Sequence, residues 1–227
     1  VQQPLPPSLF RLQVCAKPPC GILAHCLLAH EIGHAVFLSS GAQESLSRSI
    51  VVEERAISDL VDSALSEVQR HPESDSPSPL QVPLEQSRGF LEYFMRLQTL
   101  SVAAHWVQEL FCDVVGVGML GPAYVCAMGA FMVASQDIDH SSDTHPPSRL
   151  RVQLACRALD RTDPGFGYGR PRSRWQKAEF EAVVGPWKVL VGSKRVVPSD
   201  GPIGALAFES VRPMADKIIT SAKESLG

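Results

Sequence analysis

The sequence predicts an α+β domain that is mostly helical, with a small sheet. Two observations carry the helices: long apolar stretches at 21–38 and 88–120, and glycine or proline where those stretches break. A third supplies the sheet: residues 9–14 alternate loosely, and 183–197 read as one or two strands. At 227 residues, 44% hydrophobic and 20% charged, the chain has an ordinary globular composition and enough length to bury a substantial core. Residues 1–160 are expected to form the principal domain, and 161–227 an extension packed on it.

The proline-rich residues 1–8 read as an extended arm. From 21 to 38 nearly every residue is apolar apart from His25, His30, Glu31 and His34, which predicts a buried helix. Residues 43–70 place Ile50, Val51, Ile57, Leu60, Val61, Leu65 and Val68 at helical spacing with charges between, an amphipathic helix or a pair of them. HPESDSPSPLQVPLEQ, residues 71–86, predicts an exposed loop that serves as a lid or a regulatory cleavage site. A long helix over 88–120 carries Glu109 and Asp113 and ends at Gly121-Pro122, with a further apolar helix to about 135. A polar loop follows over 136–145. Pro146 or Pro147 then opens a helix to about 159, since proline fits the first helical turn. A last helix is expected over 211–226.

The net charge of −3 and the lack of a dense Lys/Arg run exclude a general nucleic-acid binder. Of the six cysteines, Cys26, Cys112, Cys126 and Cys156 lie in apolar helical runs, where a thiol behaves as a small hydrophobe. Cys15 and Cys20 flank a Lys-Pro-Pro turn and have the option of pairing. Free thiols and a reducing, cytoplasmic compartment are the expectation. The chain begins at Val1 rather than Met, as a processed or excised form would, and no signal-peptide pattern opens it. The run 114–135 carries no charge and reaches transmembrane length, but the Gly-Pro pair in its middle favours two buried helices over membrane association.

The chemistry is concentrated in AHEIGHAVF, residues 29–37. On a helix, His30 and His34 lie one turn apart on the same face, so both imidazoles can reach one cation. Zinc suits imidazole ligands, and a catalytic zinc site keeps one position for water. Glu31 adjoins the first ligand and is placed to act as general base on that water. The pattern arises by chance in roughly one chain of this size in a hundred. Metal ligation also explains ionisable residues in an apolar helix, where burial without a partner is costly.

A third protein ligand must come from elsewhere. Phe37 and Ser40 stand where the metzincin pattern needs Gly and His, which excludes that class. HWVQELFCD, residues 105–113, offers Glu109, with His105 as the competing ligand one turn away. Asp113, one turn further on, is placed to bond a ligating histidine and fix its tautomer. THPPSRLR, residues 144–151, sets His145 before a helix, from where it can donate to an oxyanion; His140 is the minor candidate for that role. Arg151, on that helix, can reach back to a site carboxylate. His25 reads as a core or supporting group, and Cys20 as a remote candidate for zinc's open position in a latent form.

HEIGH, then ELFCD, then THPPSRLR together resemble the M48 family of zinc peptidases, over about residues 21–157. The resemblance implies a zincin-like domain of the gluzincin type with one Zn²⁺ held by His30, His34 and Glu109. It implies Glu31 as base, Asp113 as support, His145 as transition-state stabiliser and Arg151 as an orienting group. Many members carry several transmembrane helices; this chain offers one candidate, so a soluble relative is the expectation. The implied activity is hydrolysis of a peptide or protein substrate, with an endopeptidase favoured because no Gly-x-Met-Glu-Asn signature is present. The alternative is a zinc module that binds without hydrolysis; an intact Glu31 favours the enzyme, because ligation alone does not need it.

Overall fold

The computed structural model describes residues 22–70, 84–134, 138–161, 174–192 and 201–226. These form α1 (Ile22–Ser39), α2 (Ala42–Ser47), α3 (Glu54–Arg70), α4 (Leu84–Leu120), α5 (Pro122–Val133), α6 (Ser148–Asp160), α7 (Arg174–Gly192), α8 (Gly201–Val211) and α9 (Ala215–Leu226), with a 3₁₀ turn at Arg212–Met214 joining the last two.

The described residues contain no strand, so the expected α+β fold with a sheet is corrected to an all-helical one. Where strands were expected over 183–197, α7 runs unbroken to Gly192, even through Pro186. Its buried Val184 and Val191 and its half-buried Trp187 join the main core, and tertiary packing of that face outweighs local β preference. Residues 9–14 and the rest of that segment lie outside the described residues, as do the 1–8 arm, Cys15, Cys20 and 71–83. Residues Leu84 onward, placed in the expected loop, instead begin α4.

The organising element is α4. At 37 residues it is about 55 Å long, and α1, α3, α5, α6, α8 and α9 all pack on it. Trp106, Phe111, Val107, Leu110, Val114 and Val115 are fully buried along its second half. A satellite cluster sets Val52, Ile57 and Val61, the last two on the apolar face of α3, against Leu91 and Met95 of α4. The stretch Ser87–Leu120 is long and apolar enough to cross a membrane, and most of its apolar 18-residue window is buried inside the protein. The uncharged run 114–135 is divided as expected: Gly121 takes φ 59°, its N–H closes onto the Val117 carbonyl, and Pro122 starts α5. Pro147 likewise stands just before α6.

Two glycines set how closely helices approach the site. A Cβ on Gly33 of α1 would lie 2.6 Å from Cα of Cys112, so this glycine lets α1 touch the backbone of α4. A Cβ on Gly116 would lie 2.2 Å from the Tyr124 ring, so this one makes room for that ring against α4.

Candidate metal centre

The α1–α4 contact brings His30, His34, Glu109 and Asp113 together, and α6 adds Arg151. The Glu109 carboxylate lies between the two imidazoles, with Oε2 3.3 Å from His30 Nε2 and Oε1 3.4 Å from His34 Nε2. The rings stand perpendicular, centroids 5.0 Å apart. His30 and Glu109 are buried, and His34 is half-buried.

The other ring nitrogens are already engaged. His30 Nδ1 lies 3.1 Å from Asp113 Oδ1, and His34 Nδ1 lies 2.9 Å from the Gln108 side-chain amide. Both Nε2 atoms therefore turn toward Glu109. Asp113 is in turn fixed by three hydrogen bonds from two further residues. Arg151 donates from Nε to Oδ2 at 2.7 Å and from Nη2 to Oδ1 at 2.8 Å, and the Tyr124 hydroxyl donates to Oδ1 at 2.7 Å. Arg151 Nη2 also lies 3.5 Å from Glu109 Oε2.

Electrostatics follow from this packing. Burial would raise the Asp113 carboxyl, but the Arg151 charge and its hydrogen bonds hold it well below the usual carboxylate range. Burial also opposes ionisation of Glu109, yet the His30 bond and the Arg151 charge keep its carboxyl depressed. Burial pulls His30 down, but bonds to Asp113 and Glu109 overcome it and raise its pKa to about 9. His34 is lowered by burial and by its neighbour His30, which keeps it neutral.

This donor set fits zinc. Two ligand atoms each about 2.0–2.1 Å from a tetrahedral zinc stand about 3.3 Å apart, the spacing found between Glu109 and each Nε2. Glu109 Oε2 is buried and has only long polar contacts, 3.3 Å to His30 Nε2 and 3.5 Å to Arg151 Nη2, with no well-formed hydrogen bond, which suits a metal-ligating oxygen. For His34 to ligate through Nε2 its Nδ1 must carry the proton, and the Gln108 amide accepts it once turned over to present its oxygen.

Cys112 is the rival donor, since its Sγ falls within 4.8 Å of ligand atoms on both histidines. The thiol is fully buried, and burial with the nearby Glu109 and Asp113 charges pushes it far above its ordinary pKa. A thiol held protonated by burial is a poor ligand, which leaves the Glu109 carboxylate as the candidate third donor.

The remaining expected residues fall around this cluster. Glu31 is exposed midway along α1, beside His30, its charge felt at His34 and Cys112. His145 sits in the 138–147 loop with Nε2 3.8 Å from Glu109 Oε2 and Nδ1 2.8 Å from the Thr144 hydroxyl. That loop is pinned: Trp106 Nε1 donates to the Ser142 carbonyl, and Arg149 bridges Asp139 and the Leu190 carbonyl of α7. His105 is exposed, and so is His25, which is therefore no core group. His140 is exposed on the same loop as His145. Gln108, Tyr124 and Thr144 are supporting residues the sequence reading missed; only Gln108, adjoining Glu109, had a positional signal. The four described cysteines, Cys26, Cys112, Cys126 and Cys156, are free thiols, as expected. Comparison with protein-family models, with curated proteins and with solved structures found no match to this chain.

Proposed function

We propose that the chain is a zinc-dependent peptidase in which His30, His34 and Glu109 hold the metal and Glu31 manages the proton. The observation that supports it is the Glu109 carboxylate, set 3.3 and 3.4 Å from the two Nε2 atoms with one oxygen buried and making no well-formed hydrogen bond. A plain ion pair would leave two further features without a reason: an exposed Glu31 beside His30, and an exposed His145 with its ring turned toward Glu109.

Zinc, when bound, supplies a Lewis acid that polarises the scissile carbonyl and makes water acidic near neutral pH. Glu31 accepts the proton from the attacking water as its oxygen bonds to the amide carbon. It returns that proton to the departing amine as the C–N bond breaks. His145, steadied by Thr144, donates a hydrogen bond to the oxyanion. Asp113 holds His30 in the tautomer that leaves Nε2 free, and Arg151 holds Asp113. A peptide or protein is the substrate, internal bonds are the expected target, and the free thiols fit a cytoplasmic setting.

The test uses the purified chain loaded with zinc and challenged with casein and a peptide mixture. Cleavage that chelator abolishes, zinc restores and Glu31→Gln removes while retaining zinc supports the proposal. If zinc binds stoichiometrically but nothing is cut, the chain is a zinc-binding module without hydrolytic activity.

A further inference from the structure

A cavity of about 530 Å³ opens beside the metal cluster, in the size range of pockets that hold small ligands. Its walls are mostly apolar, with Phe131, Met132 and Ala134 from the end of α5 and Pro146 from the start of the THPPSRLR segment. It shares His145 and Arg151 with the metal centre, and both of these face Glu109 Oε2. Among the described residues that line it, none is acidic. Arg151, its one permanent charge, is already paired with Asp113 and Glu109.

Resting on the peptidase reading, we propose that this cavity takes the substrate side chain adjacent to the scissile bond and selects a large apolar one, such as leucine, methionine or phenylalanine. A peptide whose carbonyl lies between the metal and His145 has a neighbouring side chain within reach of this cavity. Transfer of that side chain from water onto apolar walls stabilises the complex in proportion to the area covered. A lysine or arginine side chain meets the Arg151 charge and no carboxylate among the described lining residues. Size selection comes from Phe131 and Ala134, both exposed at the cavity, so either can be changed without disturbing the core.

The experiment maps cleavage of a positional peptide library by the zinc-loaded full chain, then compares matched peptides carrying Leu, Ala or Lys at the selected position. Leu is expected to exceed Ala in kcat/KM by roughly tenfold or more, with Lys the poorest. Ala134→Phe fills the cavity and brings the Leu/Ala ratio near one; Phe131→Ala widens it and favours bulkier side chains. A second arm measures fluorescence anisotropy of the labelled peptides on zinc-loaded Glu31→Gln protein and on its Ala134→Phe and Phe131→Ala derivatives. Cleavage with no apolar preference, or with a preference neither variant shifts, overturns the pocket and leaves the peptidase intact. Leu-selective binding that Ala134→Phe removes, without cleavage by the wild type, sinks the peptidase and keeps the pocket as a peptide site. Neither cleavage nor selective binding overturns both.

Discussion

Gly33 and Cys112 meet with no room for a side chain between them: a methyl group on Gly33 would sit 2.6 Å from Cα of Cys112. This contact sets the separation of α1 and α4 at the point where His30 and His34 face Glu109. The obstacle is backbone, so it cannot turn aside. Gly33→Ala is expected to destabilise the fold by about 3 kcal/mol. Because it pushes the ligands apart, it should also weaken zinc binding by far more than a surface Gly→Ala such as Gly89→Ala, whose Cβ meets nothing within 4 Å. Thermal unfolding with and without zinc checks both effects.

Asp113 and Arg151 form a buried pair that should fail when halved. Arg151→Met leaves a carboxylate uncompensated in the core and is expected to cost about 3–5 kcal/mol. The double variant Asp113→Ala/Arg151→Met should lose less than the sum of the two single changes. A denaturant-unfolding double-mutant cycle measures the coupling.

Tyr124→Phe removes one of three donors to Asp113 while leaving the ring in the space Gly116 provides. The expected loss is about 1 kcal/mol in stability and roughly tenfold in zinc affinity. Unchanged affinity in a competitive chelator titration would show that the hydroxyl does not support the metal site.

The metal-free protein should have a distinctive pH dependence. His30 is raised from 6.5 to about 9 by Asp113 and Glu109, against the pull of burial. A raised folded pKa contributes stability that is fully present below pH 6.5 and is lost as pH rises through about 9. Melting in chelator should therefore decline across that window. The zinc-loaded protein should not show the decline, because the metal replaces the proton. Calorimetry in buffers of different ionisation heat should show a proton released on zinc binding near neutral pH.

His145→Ala should lower kcat by roughly 10²–10³-fold with zinc content unchanged, since its ring faces the substrate side rather than anchoring the metal. A matching loss of zinc would instead mark it as a ligand.

What the sequence disclosed and what it hid divide on physical lines. His30, Glu31 and His34 were legible because helical geometry alone puts residues i and i+4 on one face. Glu109 and Asp113 were legible because carboxylates in an apolar helix demand a partner. Gly121-Pro122 and Pro147 announced helix boundaries through backbone constraints, although the same Gly-Pro pair at Gly185-Pro186 lies inside α7. Gly33 and Gly116 stayed silent, since the need for a missing Cβ depends on a partner 79 and 8 positions away. Tyr124 was equally hidden, because it reaches Asp113 only after the chain turns at Gly121. Over 183–192, the described part of the segment where strands were expected, helix won because a short apolar run has no decisive period and its burial against α5 and α6 decided the outcome.

The most direct measurement is zinc K-edge X-ray absorption on the stoichiometrically loaded protein, read beside Glu109→Ala. The predicted result is one zinc per chain with only nitrogen and oxygen neighbours at about 2.0–2.1 Å, and a lost or altered oxygen contribution in the variant. A sulfur neighbour at about 2.3 Å, which would be Cys112, or a spectrum and affinity unchanged by Glu109→Ala, would contradict it.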